Sequence, residues 1–319
     1  MRPGGRKSAV KLPLFGIRIS KLLGPVGCRN QRPGRNRLQT GSAPDLPALS
    51  DDILERPPVI DPLLLTTTRV STYDGDNLLT AASGFFFARG PAMFLVTSRH
   101  VLLDDASDHR PNRIVVQFHD DLSDLRSVRV VSIWLYKDGQ SVWRQGSDTG
   151  GDIDVAVIEI EAQAAPSGPG FRCFTPAHLP RFMSSVGLGR RLLIAGFPLG
   201  FHDTVHHLAV VRHAIVASSY GVRFQGQGHF LTDGRTHRGS SGGPVVLRDP
   251  DGDPDLPWKL LGVHSSRIDM STRDRQQDEA LGLNSAWYAD ILLTLTEPVS
   301  ASVPVPVKKV VSSKARRGA

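Results

Sequence analysis

Cysteine is nearly absent: the 319 residues include only Cys28 and Cys173. That excludes a small secreted fold stapled by disulfides and makes a reducing, cytoplasmic setting the expectation. Long apolar runs are also missing, since nothing approaches the roughly 18 residues of a membrane-spanning helix. Acidic residues are absent from positions 1–44 and 300–319, which hold ten and five Lys/Arg respectively. The overall charge of +7 therefore belongs to the ends, and the stretch between them carries 23 basic and 31 acidic residues, a net of −8. An acidic folded part argues against specific nucleic-acid binding and leaves only weak electrostatic contacts to the basic ends.

What is present divides the chain into three. Residues 1–57 are dense in Arg, Gly and Pro, from Arg2-Pro3-Gly4-Gly5-Arg6 to Arg56-Pro57-Pro58, a composition that opposes packing and predicts disorder. Residues 299–319, with Val303-Pro304-Val305-Pro306-Val307-Lys308-Lys309, predict an extended basic tail. Between them short β-prone runs recur with turn signals: Leu63–Val70, Gly84–Ala88, Phe94–Thr97, Arg113–Phe118, Val128–Tyr136, Asp154–Ile160, Arg191–Phe197, Leu208–Ala217, Gly228–Leu231, Val245–Leu247 and Trp258–Val263. Without a long amphipathic helix, this pattern predicts an all-β domain over 58–298. The break Ala165-Pro166-Ser167-Gly168-Pro169-Gly170 separates its halves, and Asn284 to Leu295 reads as a capped C-terminal helix. The histidine cluster His202, His206, His207 and His213 runs into a strand-like segment, so neither a metal nor a cofactor is expected.

Chemistry concentrates at Gly239-Ser240-Ser241-Gly242-Gly243-Pro244. Glycines flanking a serine let backbone crowd a substrate carbonyl, and the amides of Gly239 and Ser241 can converge on the oxyanion formed there. A serine hydroxyl needs a base, and the base needs an orienting acid. His100 follows the apolar run Leu95-Val96-Thr97-Ser98, and Asp154 opens Val155-Ala156-Val157-Ile158, with Asp152 two residues earlier. Two residues apart on a strand share a face, so parity does not separate the two acids. The turn also satisfies Gly-x-Ser-x-Gly, the nucleophile elbow of α/β-hydrolases, but there the acid and histidine follow the serine and a helix starts behind it. Here only His264 follows Ser241, and Pro244-Val245-Val246-Leu247 reads as a strand.

The order His100, Asp154, Ser241, at spacings of 54 and 87 residues, resembles trypsin-like serine proteases over about residues 60–295. The family's pattern of an acid followed by Val or Leu, Ala, and Val or Leu favours Asp154 over Asp152. The resemblance implies two six-stranded antiparallel β-barrels, the first about 60–165 and the second about 185–283, with the helix about 284–295 packed on the second. It implies a polypeptide substrate, a His100 base, an Asp154 partner, a Ser241 nucleophile and an oxyanion hole at Gly239 and Ser241. The stretch 299–319 is shorter than the peptide-binding domain that many bacterial relatives append. Digestive members place an aspartate before the nucleophile to pair with a new N-terminus; Ser240 stands there, so competence without such insertion is expected.

Thr236, five residues before Ser241, and His264, in the strand beyond it, resemble the pair that reads a Glu or Gln side chain in glutamyl endopeptidases and picornaviral polyprotein-processing proteases. A hydroxyl and an imidazole suit a carboxylate or carboxamide, and an imidazolium titrating near 6.5 would favour the carboxylate. The alternative function class is a catalytically silent trypsin-fold interaction module tethered by its basic ends.

Overall fold

Two β-systems meet around one shared apolar cluster that joins residues of both, among them Phe85, Phe87, Phe174, Trp258, Trp287 and Leu292. The computed structural model describes residues 60–162, 164–165, 168, 170–268 and 281–298. The leader 1–57 and the tail 299–319, for which disorder and an extended form were expected, lie outside the described residues.

The first system begins with a single helical turn, α1 (Pro62–Thr66), where the Leu63–Val70 run predicted strand. The Asp61 side chain accepts from the Leu63 N–H at 2.9 Å and Pro62 supplies the fixed φ of a first helical position, so local capping overrides the β-prone composition until Thr67. The strands follow: β1 (Thr67–Asp74), β2 (Asn77–Arg89), β3 (Ala92–Thr97), β4 (Arg113–His119) and β5 (Val128–Trp134). After the short β6 (Tyr136–Lys137) and β7 (Gln140–Ser141) hairpin come β8 (Trp143–Asp148) and β9 (Gly151–Ile160). They pair as a seven-stranded sheet, β5-β4-β1-β2-β3-β9-β8. Phe85, Phe86 and Phe87 in β2, Phe94, Leu95 and Val96 in β3, and Val155 to Ile158 in β9 are all buried. Central strands covered on both faces therefore read as continuous apolar runs, whereas the edge strand β8, Trp-Arg-Gln-Gly-Ser-Asp, buries only its first residue and gave no strand signal. Between β3 and β4 lies the one-turn α2 (Arg99–Leu102).

The second system is a closed six-stranded barrel. Its members are β10 (Arg191–Gly196), β11 (Val210–Val216), β12 (His229–Asp233), β13 (Pro244–Arg248), β14 (Trp258–Arg267) and β15 (Leu283–Tyr288), ordered β10-β11-β12-β15-β14-β13. The all-β fold and the closed six-stranded second barrel are as expected, whereas the first system pairs as a seven-stranded sheet instead of six strands. The helix is shorter than expected: residues 284–288 belong to β15, paired with β12 and β14, and only α3 (Ile291–Leu295) is helical. Asn284 looked like a helix cap, but it is buried and its amide donates to the Gly234 carbonyl at 2.7 Å, holding the loop that leads to Ser241. Because β15 closes the barrel, its Ala286, Trp287 and Tyr288 are core residues.

Candidate active site

The Ser241 turn is clamped by the first sheet. Gly239 and Gly242 have φ of +90° and +84°, left-handed values that favour glycine. A Cβ on Gly242 would lie 2.2 Å from the Ser83 carbonyl oxygen and 2.3 Å from Thr97 Oγ1. The Ser83 N–H donates to the Ser241 carbonyl at 2.9 Å and its hydroxyl donates to the Gly239 carbonyl at 2.7 Å. From the barrel side, the Gly242 N–H donates to His264 O at 2.7 Å and the His264 N–H donates to Gly243 O at 2.9 Å. Among the described residues, neither the Gly239 nor the Ser241 amide donates to a protein acceptor, so both are available to an incoming oxygen.

His100 sits in α2, directly after buried β3, and Asp154 enters from β9, which pairs with β3. Asp154 Oδ1 accepts the His100 backbone N–H at 2.9 Å, while Oδ2 lies 2.7 Å from His100 Nδ1. A carboxylate only accepts, so this contact fixes the Nδ1–H tautomer and leaves Nε2 as the basic nitrogen. A third donor, the Ser265 hydroxyl, reaches Oδ2 at 2.5 Å. Asp152, the other acid the sequence allowed, makes no hydrogen bond or ion pair with His100 among the described residues, although it lines a second cavity together with His100, Asp154, Arg99 and His229.

Burial opposes charge on His100, but the Asp154 hydrogen bond and charge, with Asp104 adding, outweigh it and raise the imidazole pKa above its ordinary value. For Asp154 burial likewise opposes charge, and the hydrogen bond and charge of His100, the Ser265 hydroxyl and the His100 N–H together hold the carboxyl below the usual range. The pair is thus set to stabilise an imidazolium.

Ser241 shares a cavity with His100, His237, Arg238, His264, Ser265 and Ser266. Its hydroxyl donates to the Ser265 carbonyl at 2.8 Å. Ser265 therefore touches both the acid and the candidate nucleophile. Its position 111 residues from Asp154 hid that from sequence reading, and only its place beside His264 marked the neighbourhood.

Of the two expected specificity residues, His264 lines this cavity and Thr236 does not. Thr236 is buried, and its hydroxyl donates to Asn284 Oδ1 at 2.5 Å, so its proton is committed within the protein. His264 is only 2 % exposed, and its Nδ1 is buried without a partner. Burial first, and the His100 charge second, push its pKa down to about 4. Of the neutral and charged forms the sequence left open, this favours the neutral one: at neutral pH the ring is an uncharged donor.

No curated protein matches the chain significantly. Similar solved structures include a serine endoprotease from Yersinia pestis (17% identity, TM-score 0.44), with 72% of this chain and 61% of that one covered. An HtrA-type protease with a decapeptide matches at 17% identity and a TM-score of 0.43, over 72% of this chain and 61% of that one. The scabies mite inactivated protease paralogue S-I1 matches at 18% identity and a TM-score of 0.46, over 74% of this chain and 94% of that one. The chain thus spans about three fifths of the length of the first two. The family model for the trypsin-like peptidase domain matches residues 82–253, more than half of the 319, and takes in the His100 turn, the Asp154 strand and the Ser241 turn. On that match the chain belongs to the trypsin-like peptidase family.

Proposed function

We propose that this protein is a serine endopeptidase in which His100, Asp154 and Ser241 hydrolyse peptide bonds. The observation that carries the reading is the Asp154 carboxylate at 2.7 Å from His100 Nδ1, with Ser241 in the same cavity as the imidazole. When substrate enters, the Ser241 hydroxyl exchanges its bond to Ser265 O for one to His100 Nε2; such contacts are often loose in the free enzyme and tighten on binding. His100 takes the proton as Ser241 Oγ attacks the scissile carbonyl, and the free amides of Gly239 and Ser241 receive the developing oxyanion. The imidazolium returns its proton to the leaving amine, the acyl-enzyme forms, and water attacks by the same route in reverse. Asp154 holds the tautomer and the charge throughout, itself held by Ser265.

The side chain before the cleaved bond enters the cavity beside His264. A neutral imidazole N–H donates equally well to a carboxylate or carboxamide oxygen, and the exposed Arg238 at the rim adds attraction for acidic substrates. Glu and Gln are therefore the preferred residues, with His264 as the donor and Thr236, bonded to Asn284 outside the cavity, taking no direct part. A peptide-library profile of the purified chain tests this. Cleavage after Glu and Gln, with selectivity reduced roughly ten- to a hundredfold in His264→Ala, is the expected result. A profile dominated by Arg/Lys, aromatic or small aliphatic residues would refute the specificity and leave the hydrolysis standing.

A further inference from the structure

An unusual backbone stands against the oxyanion turn. Leu199 has φ 53° and ψ 23°, the left-handed region that glycine and asparagine adopt readily and a leucine does not. Three hydrogen bonds hold the segment there: Leu199 N–H to Arg238 O at 2.6 Å, Gly200 N–H to Phe197 O at 2.9 Å and Phe201 N–H to Pro198 O at 2.8 Å. The side chain so held is not used for packing, since Leu199 is 72% and Phe201 71% exposed. An exposed leucine alone means little, but an exposed leucine kept in a strained conformation beside a reacting centre calls for a use.

Its place supplies one. Arg238, whose carbonyl holds Leu199, immediately precedes Gly239, and a Cβ on Gly239 would lie 3.0 Å from the Leu199 nitrogen and 2.6 Å from the Phe197 carbonyl. The segment is thus in contact with the turn that would bind the oxyanion. Yet neither Leu199 nor Phe201 lines the cavity of His264 or the one beside Asp154, where the acyl side of a substrate would lie. The part of a bound polypeptide left within their reach is the chain beyond the scissile bond.

We propose that Leu199, with Phe201 beside it, determines specificity on the leaving side by binding an apolar residue immediately after the cleaved bond. The inference rests on the peptidase reading above. Apolar contact with a substrate side chain discriminates by about ten- to two-hundredfold. The strained backbone fixes Leu199 at the rim in the absence of substrate, which lowers the ordering cost of binding.

The test uses the full chain and peptides identical up to the cleaved bond, with Leu, Phe, Gly or Asp placed immediately after it. Wild type is expected to cut the Leu and Phe peptides at least tenfold more efficiently, by kcat/KM, than the Gly and Asp peptides. In Leu199→Gly the ratio should fall to within about threefold while Tm is unchanged or higher, because glycine suits this φ. Phe201→Ser should lower the same ratio to a smaller extent. A ratio unaltered in Leu199→Gly, a wild-type preference for Gly or Asp, or a Leu199→Gly Tm well below wild type would each overturn the proposal, the last by making Leu199 a packing residue. An activated ester of the same acyl group with a small alcohol leaving group separates the two claims. Ester turnover by wild type with flat leaving-side selectivity removes only this inference, whereas absence of both ester and peptide hydrolysis removes the peptidase reading with it.

Discussion

Replacing Asp154 by asparagine changes little in shape and much in hydrogen bonding. The carboxylate accepts three hydrogen bonds: from the His100 N–H at 2.9 Å, the His100 Nδ1–H at 2.7 Å and the Ser265 hydroxyl at 2.5 Å. An amide offers one accepting oxygen and one donating NH2. If the oxygen serves the His100 backbone, the NH2 occupies the Oδ2 position and faces two former donors. Ser265 can rotate its hydroxyl and accept; His100 can accept only by moving its proton to Nε2, the atom that must take the Ser241 proton. The wrong tautomer predominates and the imidazolium loses its counter-charge. A loss of about four orders of magnitude in kcat follows, ~5.5 kcal/mol of transition-state stabilisation, by analogy with the same change in a related triad. The assay is steady-state hydrolysis of a fluorogenic Glu or Gln peptide, with circular dichroism as the check on folding. Asp152→Asn, which removes no hydrogen bond to His100, should cost less than tenfold. A folded Asp154→Asn protein retaining a tenth of wild-type turnover, or a more damaging Asp152→Asn, would refute the assignment.

The pH profile should show an acid limb above 6.5, because the base must be neutral and Asp154 raises the pKa of His100; a limb at or below 6.5 in kcat/KM would contradict the pairing. The linked stability has a defined sign: the His100 contribution is complete below 6.5 and is lost as pH rises through its raised folded value, while the Asp154 contribution is present above its unfolded value of 3.8 and is lost as pH falls, so urea midpoints measured across pH should follow both. Gly242→Ala should destabilise the protein by roughly 3 kcal/mol or more, since a Cβ there meets backbone at 2.2 Å as well as an unfavourable φ; a loss below about 1 kcal/mol in urea denaturation would show the turn to be built differently.

The parts of this molecule visible in sequence are those where one physical signal acts locally. Buried strands such as Phe94–Val96 and Val155–Ile158 announce themselves because both faces are covered, and the glycine-flanked serine because its turn needs left-handed backbone. Where local signals mislead, a distant partner decides. Asn284 carries a capping side chain, but its amide serves the Gly234 loop and its strand closes a barrel. Strand β8 is polar along most of its length because it forms the sheet edge, so no hydrophobic period marks it. The same rule divides the site. The candidates His100, Asp154 and Ser241 stand out by their immediate context, and the structure brings them to one place, whereas Ser265 gains its place only when β14 comes beside β9, and Ser83 only when β2 meets the Ser241 turn. Of Asp152 and Asp154 only the latter reaches the His100 imidazole, a difference that parity along a strand does not encode.

The proposed hydrolysis depends on Ser241 being a nucleophile activated by His100. A serine-directed fluorophosphonate, followed by peptide mapping of the adduct, measures this directly. One equivalent of label on Ser241 is expected, with labelling strongly slowed in His100→Ala and neither label nor peptide hydrolysis in a folded Ser241→Ala protein. Label on another serine, or full hydrolysis by Ser241→Ala, would contradict it.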